Sequence, residues 1–97
     1  MRFVVIFEDV PAMADVRRSL QPRHLAYLRE NAGEIAIGGG LRDAPDGPYL
    51  GALWVLEVAS RERAVEVIEA DPYYQALARP YQLYNWGKAI PEKSVLL

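Results

Sequence analysis

The chain has 97 residues, a hydrophobic fraction of 52% and a formal net charge of −2. A chain of this length builds one hydrophobic core, so we expect a single domain over residues 1–97, with its core at about 2–89 and a tail at 90–97. The charge leaves no clustered basic surface for nucleic acid, and no apolar run reaches the length that spans a membrane.

The cysteine and histidine content limits the chemistry further. The sequence has no cysteine and one histidine, which excludes thiol catalysis, and a single imidazole among scattered carboxylates predicts no metal site. We also expect no cofactor. The N-terminus enters a strand-like run without the basic stretch and cleavage site of a signal peptide. Together with the absence of cysteine, this predicts a cytoplasmic protein.

The first part of the chain predicts a strand followed by a helix. Residues 3–7 are apolar and mostly β-branched or aromatic, which favours a strand. We predict a loose turn over 15–20, because Pro22 cannot lie inside a regular helix without the loss of a backbone hydrogen bond. The main helix then begins at Pro22 and ends at Gly33, where glycine suits a left-handed cap. Its buried stripe consists of Leu25, Leu28 and Ala32.

The middle of the chain predicts two strands and a second helix. Residues 34–41 and 51–59 are the strands, and the turn formers at 43–48 between them predict a mobile loop. The second helix begins at Arg61, and Ser60 is its predicted N-cap. The predicted core face of this helix consists of Ala64, Val67 and Ile68.

The element order predicts the fold class. Asp71 and Pro72 end the second helix and start a short turn through Leu77, and residues 81–86 form the last strand. Strand, helix, strand, strand, helix, strand is the split βαβ pattern of a ferredoxin-like α+β sandwich with an antiparallel sheet. Two helices cover only one face of such a sheet. We therefore expect a homodimer in which a second copy covers the other face, and a cavity for a small-molecule ligand.

His24 is the first candidate for proton transfer, since it is the single imidazole of the chain. It shares a helix face with Tyr27 and Leu28. The alternative is a half-buried histidine that hydrogen-bonds a backbone carbonyl. Asp71 is a predicted helix N-cap before Pro72, but one of its oxygens could bind an imidazole and fix the tautomer that a general base needs.

The glycines at 38–40 do not form a phosphate-binding loop. They lack the spacing of the known phosphate motifs, and no helix start follows them. A strand kink or bulge is one interpretation. The other is that the missing side chains, at Gly39 above all, leave room for a ligand against the sheet.

Two segments resemble the YCII-related (YciI-like) family of the dimeric α+β barrel superfamily. Residues 21–25 read Gln-Pro-Arg-His-Leu, and residues 71–73 read Asp-Pro-Tyr. Arg18 and the glycines at 38–40 add to this resemblance, which extends from residue 2 to about 88. Gln21 departs from the arginine often found before the proline, which weakens any anion contact at that position.

The resemblance implies a dimeric barrel related in fold to muconolactone isomerases, with His24 and Asp71 as the pair suspected of catalysis. It also implies elimination or lyase-type chemistry on hydroxylated aromatics. We therefore expect a cofactor-free enzyme that moves a proton on a small cyclic or phenolic substrate by elimination or isomerisation. His24 is the acid or base and Asp71 orients it. The expected substrate-binding residues are Tyr27, Tyr73, Trp54 and Gly39. The alternative is a non-catalytic ligand-binding or accessory dimer in which the His-Asp pair is structural.

Overall fold

The structure, a computed structural model, describes residues 1–96. Leu97, the last residue of the predicted tail, lies outside them. Four strands and three helices follow one another in the order β1 (Arg2–Glu8), α1 (Met13–Glu30), β2 (Ile35–Leu41), β3 (Gly51–Glu57), α2 (Arg61–Glu69), α3 (Pro72–Ala76) and β4 (Tyr81–Asn85). Within residues 1–96 we find no helix that combines the length and the apolarity needed to cross a membrane.

The four strands form one sheet in the order β2-β3-β1-β4. All three neighbouring pairs are antiparallel. β3 therefore separates β1 from β2, and β1 separates β3 from β4, which is the split βαβ arrangement predicted from the element order. The ferredoxin-like α+β class is confirmed. This topology places α1 and α2 on the same face of the sheet.

The core lies between this sheet face and the helices, because successive strand residues point to opposite faces. In β1, Phe3, Val5 and Phe7 are buried, and in β3 the buried cluster continues through Ala52, Trp54 and Leu56. Helix α2 contributes the predicted Ala64, Val67 and Ile68, all buried. Its predicted N-cap is also present, since the Ser60 hydroxyl accepts a hydrogen bond from the backbone N–H of Arg63 at 3.1 Å.

The prediction for α1 was wrong at both ends. One continuous helix begins at Met13, and Pro22 lies inside it. Proline has no N–H, so the bond to the carbonyl four residues earlier is missing, but Pro22 and Arg18 are both exposed and water can bind that carbonyl. The buried residues of the helix are Met13 and His24. Tertiary packing of this face outweighs the local cost of the proline.

The end of α1 also differs from the prediction. The helix ends at Glu30, and its C-cap Asn31 donates a side-chain hydrogen bond to the carbonyl of Tyr27 at 2.8 Å. No glycine among residues 1–96 has a positive φ, so Gly33 does not form a left-handed cap. Of the predicted buried stripe, Leu25 and Ala32 are exposed and Leu28 is half-buried. His24 therefore lies deep in a long helix and not near its N-terminus.

An ion pair fixes the start of β2 against α2. Arg63 donates two hydrogen bonds to the Glu34 carboxylate, from Nε at 2.9 Å and Nη2 at 2.7 Å. These bonds hold the pKa of Glu34 below its ordinary value of 4.5. A group whose pKa is lower in the folded state stabilises the fold above its unfolded pKa and loses that contribution as the pH falls through the folded value.

We expect Glu34→Gln to remove this part of the acid sensitivity. Urea unfolding of wild type and variant at neutral pH and at several values below pH 4.5 measures it. The difference in stability between the two proteins should be largest at neutral pH and should shrink toward acid. Glu30→Gln is the control, because Glu30 is exposed and makes no ion pair within residues 1–96. A constant difference between wild type and Glu34→Gln at all pH values would contradict the prediction.

Candidate active site

The fold brings together His24 and Asp71, which are 47 positions apart in the sequence. Helix α1 packs against α3, so the middle of α1 faces the residue that precedes α3. His24 Nδ1 lies 2.6 Å from Asp71 Oδ1. Both side chains are buried, with residue exposures of 9% for His24 and 1% for Asp71. Away from solvent, such a short hydrogen bond orients the imidazole firmly.

Two aromatic rings hold the imidazole in place. The Tyr73 ring stacks on it with a centroid distance of 3.8 Å and an interplanar angle of 5°, and the Trp54 indole lies 6.2 Å away. Burial raises the pKa of Tyr73, so its hydroxyl is neutral at ordinary pH. Because Nδ1 is occupied by Asp71, the other ring nitrogen, Nε2, is the one available for chemistry. It makes no hydrogen bond to any part of the chain between residues 1 and 96.

Asp71 stands at the N-cap position of α3, but its side chain makes no capping hydrogen bond there, which corrects the prediction. Pro72 occupies the first helical position and has no N–H, so this helix start leaves fewer donors unpaired. The carboxylate turns to the imidazole and leaves the backbone alone. Its other oxygen, Oδ2, is buried without a hydrogen-bond partner within residues 1–96. Within residues 1–96, His24 is therefore the one hydrogen-bond partner of the Asp71 carboxylate.

Beside the imidazole lies a pocket of about 100 Å³, which we call the His24 pocket. Helix α1, strands β2 and β3, the loop between these strands and the segment from α3 to β4 form its walls. Its lining residues are Arg17, Gln21, His24, Leu25, Leu28, Gly38, Gly39, Gly40, Tyr49, Ala52, Trp54, Tyr73 and Arg79. Tyr73, Trp54 and Gly39 of the expected substrate-binding residues are among them. Tyr27 does not line the pocket. Its side chain points to α2, where its hydroxyl donates a hydrogen bond to the carbonyl of Val67 at 2.7 Å.

The glycines of β2 contribute to the pocket in an alternating way. Gly38 pairs with Trp54 and Gly40 with Ala52, on the sheet face that carries the helices, whereas Gly39 pairs with Leu53. A Cβ on Gly38 would lie 3.0 Å from the Trp54 indole, and one on Gly40 would overlap the Tyr49 ring. A Cβ on Gly39 would meet nothing within 4 Å. The missing side chains that make room are thus those of Gly38 and Gly40, and Gly39 contributes backbone.

We expect Gly40→Ala to destabilise the fold by about 1–3 kcal/mol, because the added methyl displaces the Tyr49 ring. That ring lies 4.1 Å from the Arg17 guanidinium carbon and 4.2 Å from that of Arg42, so its displacement also disrupts both stacks. Gly39→Ala is the matched control and should change stability by less than about 0.5 kcal/mol. Urea unfolding of the three proteins checks this. Equal stability of the two alanine variants would show that Tyr49 yields without cost.

Sequence reasoning missed two arginines and an aspartate at this site. Asp9 accepts hydrogen bonds from Arg17 Nε at 3.2 Å and Nη2 at 3.1 Å, and from Arg79 Nη1 at 2.5 Å. Arg79 is 2% exposed, and its burial lowers its pKa. One signal was available. Arg79 is the only charged residue between Asp71 and Lys88, and a lone charge in an apolar stretch often has a buried partner.

The donor set of the site does not favour a metal ion. Within residues 1–96, no three histidine, cysteine, aspartate or glutamate side chains gather where they could hold one. The pocket wall itself has one imidazole and no carboxylate. The arrangement is suited to proton transfer at Nε2, with a fixed carboxylate behind the imidazole.

Solved structures similar to this chain include two enzymes. One is 5-chloro-2-hydroxyhydroquinone dehydrochlorinase (TftG) from Burkholderia phenoliruptrix AC1100 in complex with 2,5-dihydroxybenzoquinone. It is 26% identical over 90% of this chain and 94% of that chain, with a TM-score of 0.78. The other is SnoaB, a cofactor-independent oxygenase from Streptomyces nogalater, which is 18% identical over 94% of this chain and 96% of that chain, with a TM-score of 0.53. At this identity, the likeness to SnoaB shows the fold alone.

The family assignment rests on a match along most of the sequence. None of the curated protein sequences compared with the chain matches it. The family model of the YCII-related domain, in contrast, matches residues 1–87, a range that includes every strand, every helix and the whole His24 pocket. The chain therefore belongs to the YCII-related domain family.

Proposed function

We propose that this protein is a cofactor-free enzyme that moves a proton on a small cyclic or phenolic substrate, with His24 as the acid or base. One observation carries the proposal: the imidazole is fixed by Asp71 at 2.6 Å through Nδ1, and His24 lines a pocket to which Nε2 is available. The likeness to TftG, named as a dehydrochlorinase of a chlorinated hydroxyhydroquinone, supports this substrate class and an elimination.

The proposed reaction uses the two imidazole nitrogens for different tasks. Asp71 accepts the hydrogen bond from Nδ1–H, so the lone pair lies on Nε2. Nε2 takes a proton from an O–H or C–H group of the substrate, and the electron pair of that bond moves into the ring. In an elimination on a chlorinated ring, the imidazolium returns that proton to the ring carbon that carries chlorine, and removal of a second O–H proton then expels chloride and leaves a quinone. In an isomerisation, the imidazolium returns the proton to another atom of the same molecule.

A substrate panel tests the proposal. The purified protein is incubated with chlorinated and chlorine-free hydroxyhydroquinones and catechols, and chloride release and quinone absorbance are followed under nitrogen. We expect turnover of at least one hydroxylated ring without any added cofactor, and the chlorine-free members distinguish isomerisation from elimination. Cooperative unfolding in urea shows that the protein used is folded. If such protein converts no member of the panel faster than the uncatalysed rate, the proposed chemistry is wrong.

We further propose that the enzyme is a homodimer, because the second sheet face carries large apolar side chains. Ile6, Ile37, Tyr84 and Trp86 are all at least one-third exposed there. A second copy packed on this sheet face would bury these side chains, in an interface on the order of 2,000 Å².

Light scattering at micromolar concentration tests the dimer. We expect a mass near twice the chain mass of 10.9 kDa. Tyr84→Lys places a charge on the exposed face and should shift the protein toward monomer, whereas Arg23→Lys, at an exposed position on α1, should not. A stable wild-type monomer would rule out this assembly.

The second candidate function is a non-catalytic ligand-binding dimer, and the small pocket volume favours it. In that case the His24–Asp71 pair only supports the fold. The two functions differ in what a bound hydroxylated ring does: an enzyme converts it, whereas a binding protein returns it unchanged. Product analysis of ligand recovered from the protein after prolonged incubation distinguishes them.

A further inference from the structure

The His24 pocket presents two guanidinium groups and no carboxylate. Arg17 and Arg79 both line it, and the carboxylate that pairs with them, Asp9, does not. The Asp71 carboxylate also lies behind the wall, on the far side of the imidazole. The charges nearest to a ligand are therefore positive, although the carboxylates behind them balance the total.

Both guanidiniums are rigidly held and still have unused N–H groups. Asp9 accepts from Arg79 through Nη1 alone, and Nε and Nη2 of this arginine make no hydrogen bond to residues 1–96. Arg17 uses Nε and Nη2 on Asp9, and its Nη1 has no partner in the same part of the chain. Arg79 is almost fully buried, and a buried charged donor is costly unless it is paired. Donors of this kind, facing a pocket, are typical of a site that binds an anion.

We propose that the His24 pocket binds its ligand as an anion, with an ionised ring oxygen on Arg17 and Arg79. This inference rests on the proposed function and names the charge state of its substrate, a phenolate or hydroxyquinone oxyanion. The same donors stabilise negative charge that develops when Nε2 takes a proton from the ligand. Both guanidiniums are already held by Asp9, and Arg17 also lies over the Tyr49 ring and Arg79 over the Phe7 ring, so they need no reorganisation for this.

Two quinones of nearly equal size test the proposal by calorimetric titration of the full chain. 2,5-Dihydroxy-1,4-benzoquinone is a vinylogous acid that is ionised at neutral pH, and 2,5-dimethyl-1,4-benzoquinone is its neutral counterpart. The absence of cysteine removes thiol addition as a competing reaction. We expect wild type to bind the dihydroxy compound at least tenfold more tightly than the dimethyl compound, and this preference to decrease with added salt.

Variants assign the preference to the arginines. Arg17→Gln should reduce the ratio of the two dissociation constants at least fivefold, because it weakens binding of the anion selectively. Arg29→Gln is the matched control, since it removes one exposed positive charge from the same helix about 18 Å away and should leave the ratio unchanged. The wild-type comparison keeps the test valid if a variant fails to fold.

Three results overturn the proposal: equal affinity of wild type for the two quinones, no binding of either, or equal weakening of both by Arg17→Gln. These results are distinguishable from failure of the proposed function. His24-dependent turnover of a ring that stays neutral, without any preference for the anionic quinone, would remove the anion site and leave the proton-transfer chemistry intact. Tight, arginine-dependent binding of the anion without turnover would support the anion site and remove the proton-transfer chemistry.

Discussion

His24→Asn is expected to lower kcat/KM by about 10²–10⁴-fold for a hydroxylated aromatic substrate that the wild type converts, while the chain remains folded. The asparagine amide nitrogen occupies nearly the position of Nδ1, so it can still donate to Asp71 Oδ1, which lies 2.6 Å from Nδ1 in the wild type. Asparagine offers no basic nitrogen at the position of Nε2. The substitution therefore removes the base and keeps the buried hydrogen bond.

Steady-state kinetics and urea unfolding of the same preparations measure the two effects separately. Ala26→Asn is the control, because it introduces the same side chain at an exposed position of the same helix, outside the pocket. Its kinetics should match those of wild type. If His24→Asn retains wild-type kcat/KM, the imidazole is not the acid or base, and the His-Asp pair is structural.

His24→Ala is expected to cost about 3–5 kcal/mol of stability, because it leaves the Asp71 carboxylate buried and unpaired. Asp71 is 1% exposed, and its Oδ2 already has no partner within residues 1–96. Deletion of the imidazole would leave Oδ1 without a partner as well. It would also uncover one face of the Tyr73 ring, which stacks on the imidazole at a centroid distance of 3.8 Å.

A double-mutant cycle separates this cost from lost packing. In His24→Ala/Asp71→Ala the buried charge is absent, so the double variant should be more stable than the sum of the single losses predicts, by about 0.5–3 kcal/mol. Urea unfolding of all four proteins at neutral pH measures the coupling. Single losses that add within about 0.5 kcal/mol would show that the two side chains do not stabilise one another. The prediction concerns stability alone, so it holds for an enzyme and for a binding protein.

Local pattern predicted the strands and α2 well, because each depends on neighbours in the sequence. The alternation of Phe3, Val5 and Phe7 places one face of β1 in the core, and Ser60 caps α2 through a residue three positions away. The same kind of reasoning failed at Pro22. There the local cost of a proline was real, but burial of Met13 and His24 on one continuous helix outweighed it.

Local sequence patterns also did not predict which residues pair with the buried charged side chains. Asp71 before Pro72 is a favourable cap by its neighbours, yet its carboxylate binds an imidazole 47 residues away. The chemistry of orienting an imidazole and the resemblance to a family suggested that pairing, whereas the spacing of the two residues did not. Arg79 is 70 positions from Asp9, and nothing in the residues around either one indicates the other.

The sequence by itself therefore determined the strands, the second helix, their order and the family, since apolar alternation and short motifs act within a few residues. The tertiary structure alone decided where α1 begins, which residue Asp71 binds, and that Arg17 and Arg79 line the pocket beside His24. The reason is physical. Burial makes an unpaired charge costly, so a buried charged group takes whichever partner the fold places beside it, and that choice is made between residues distant in the chain.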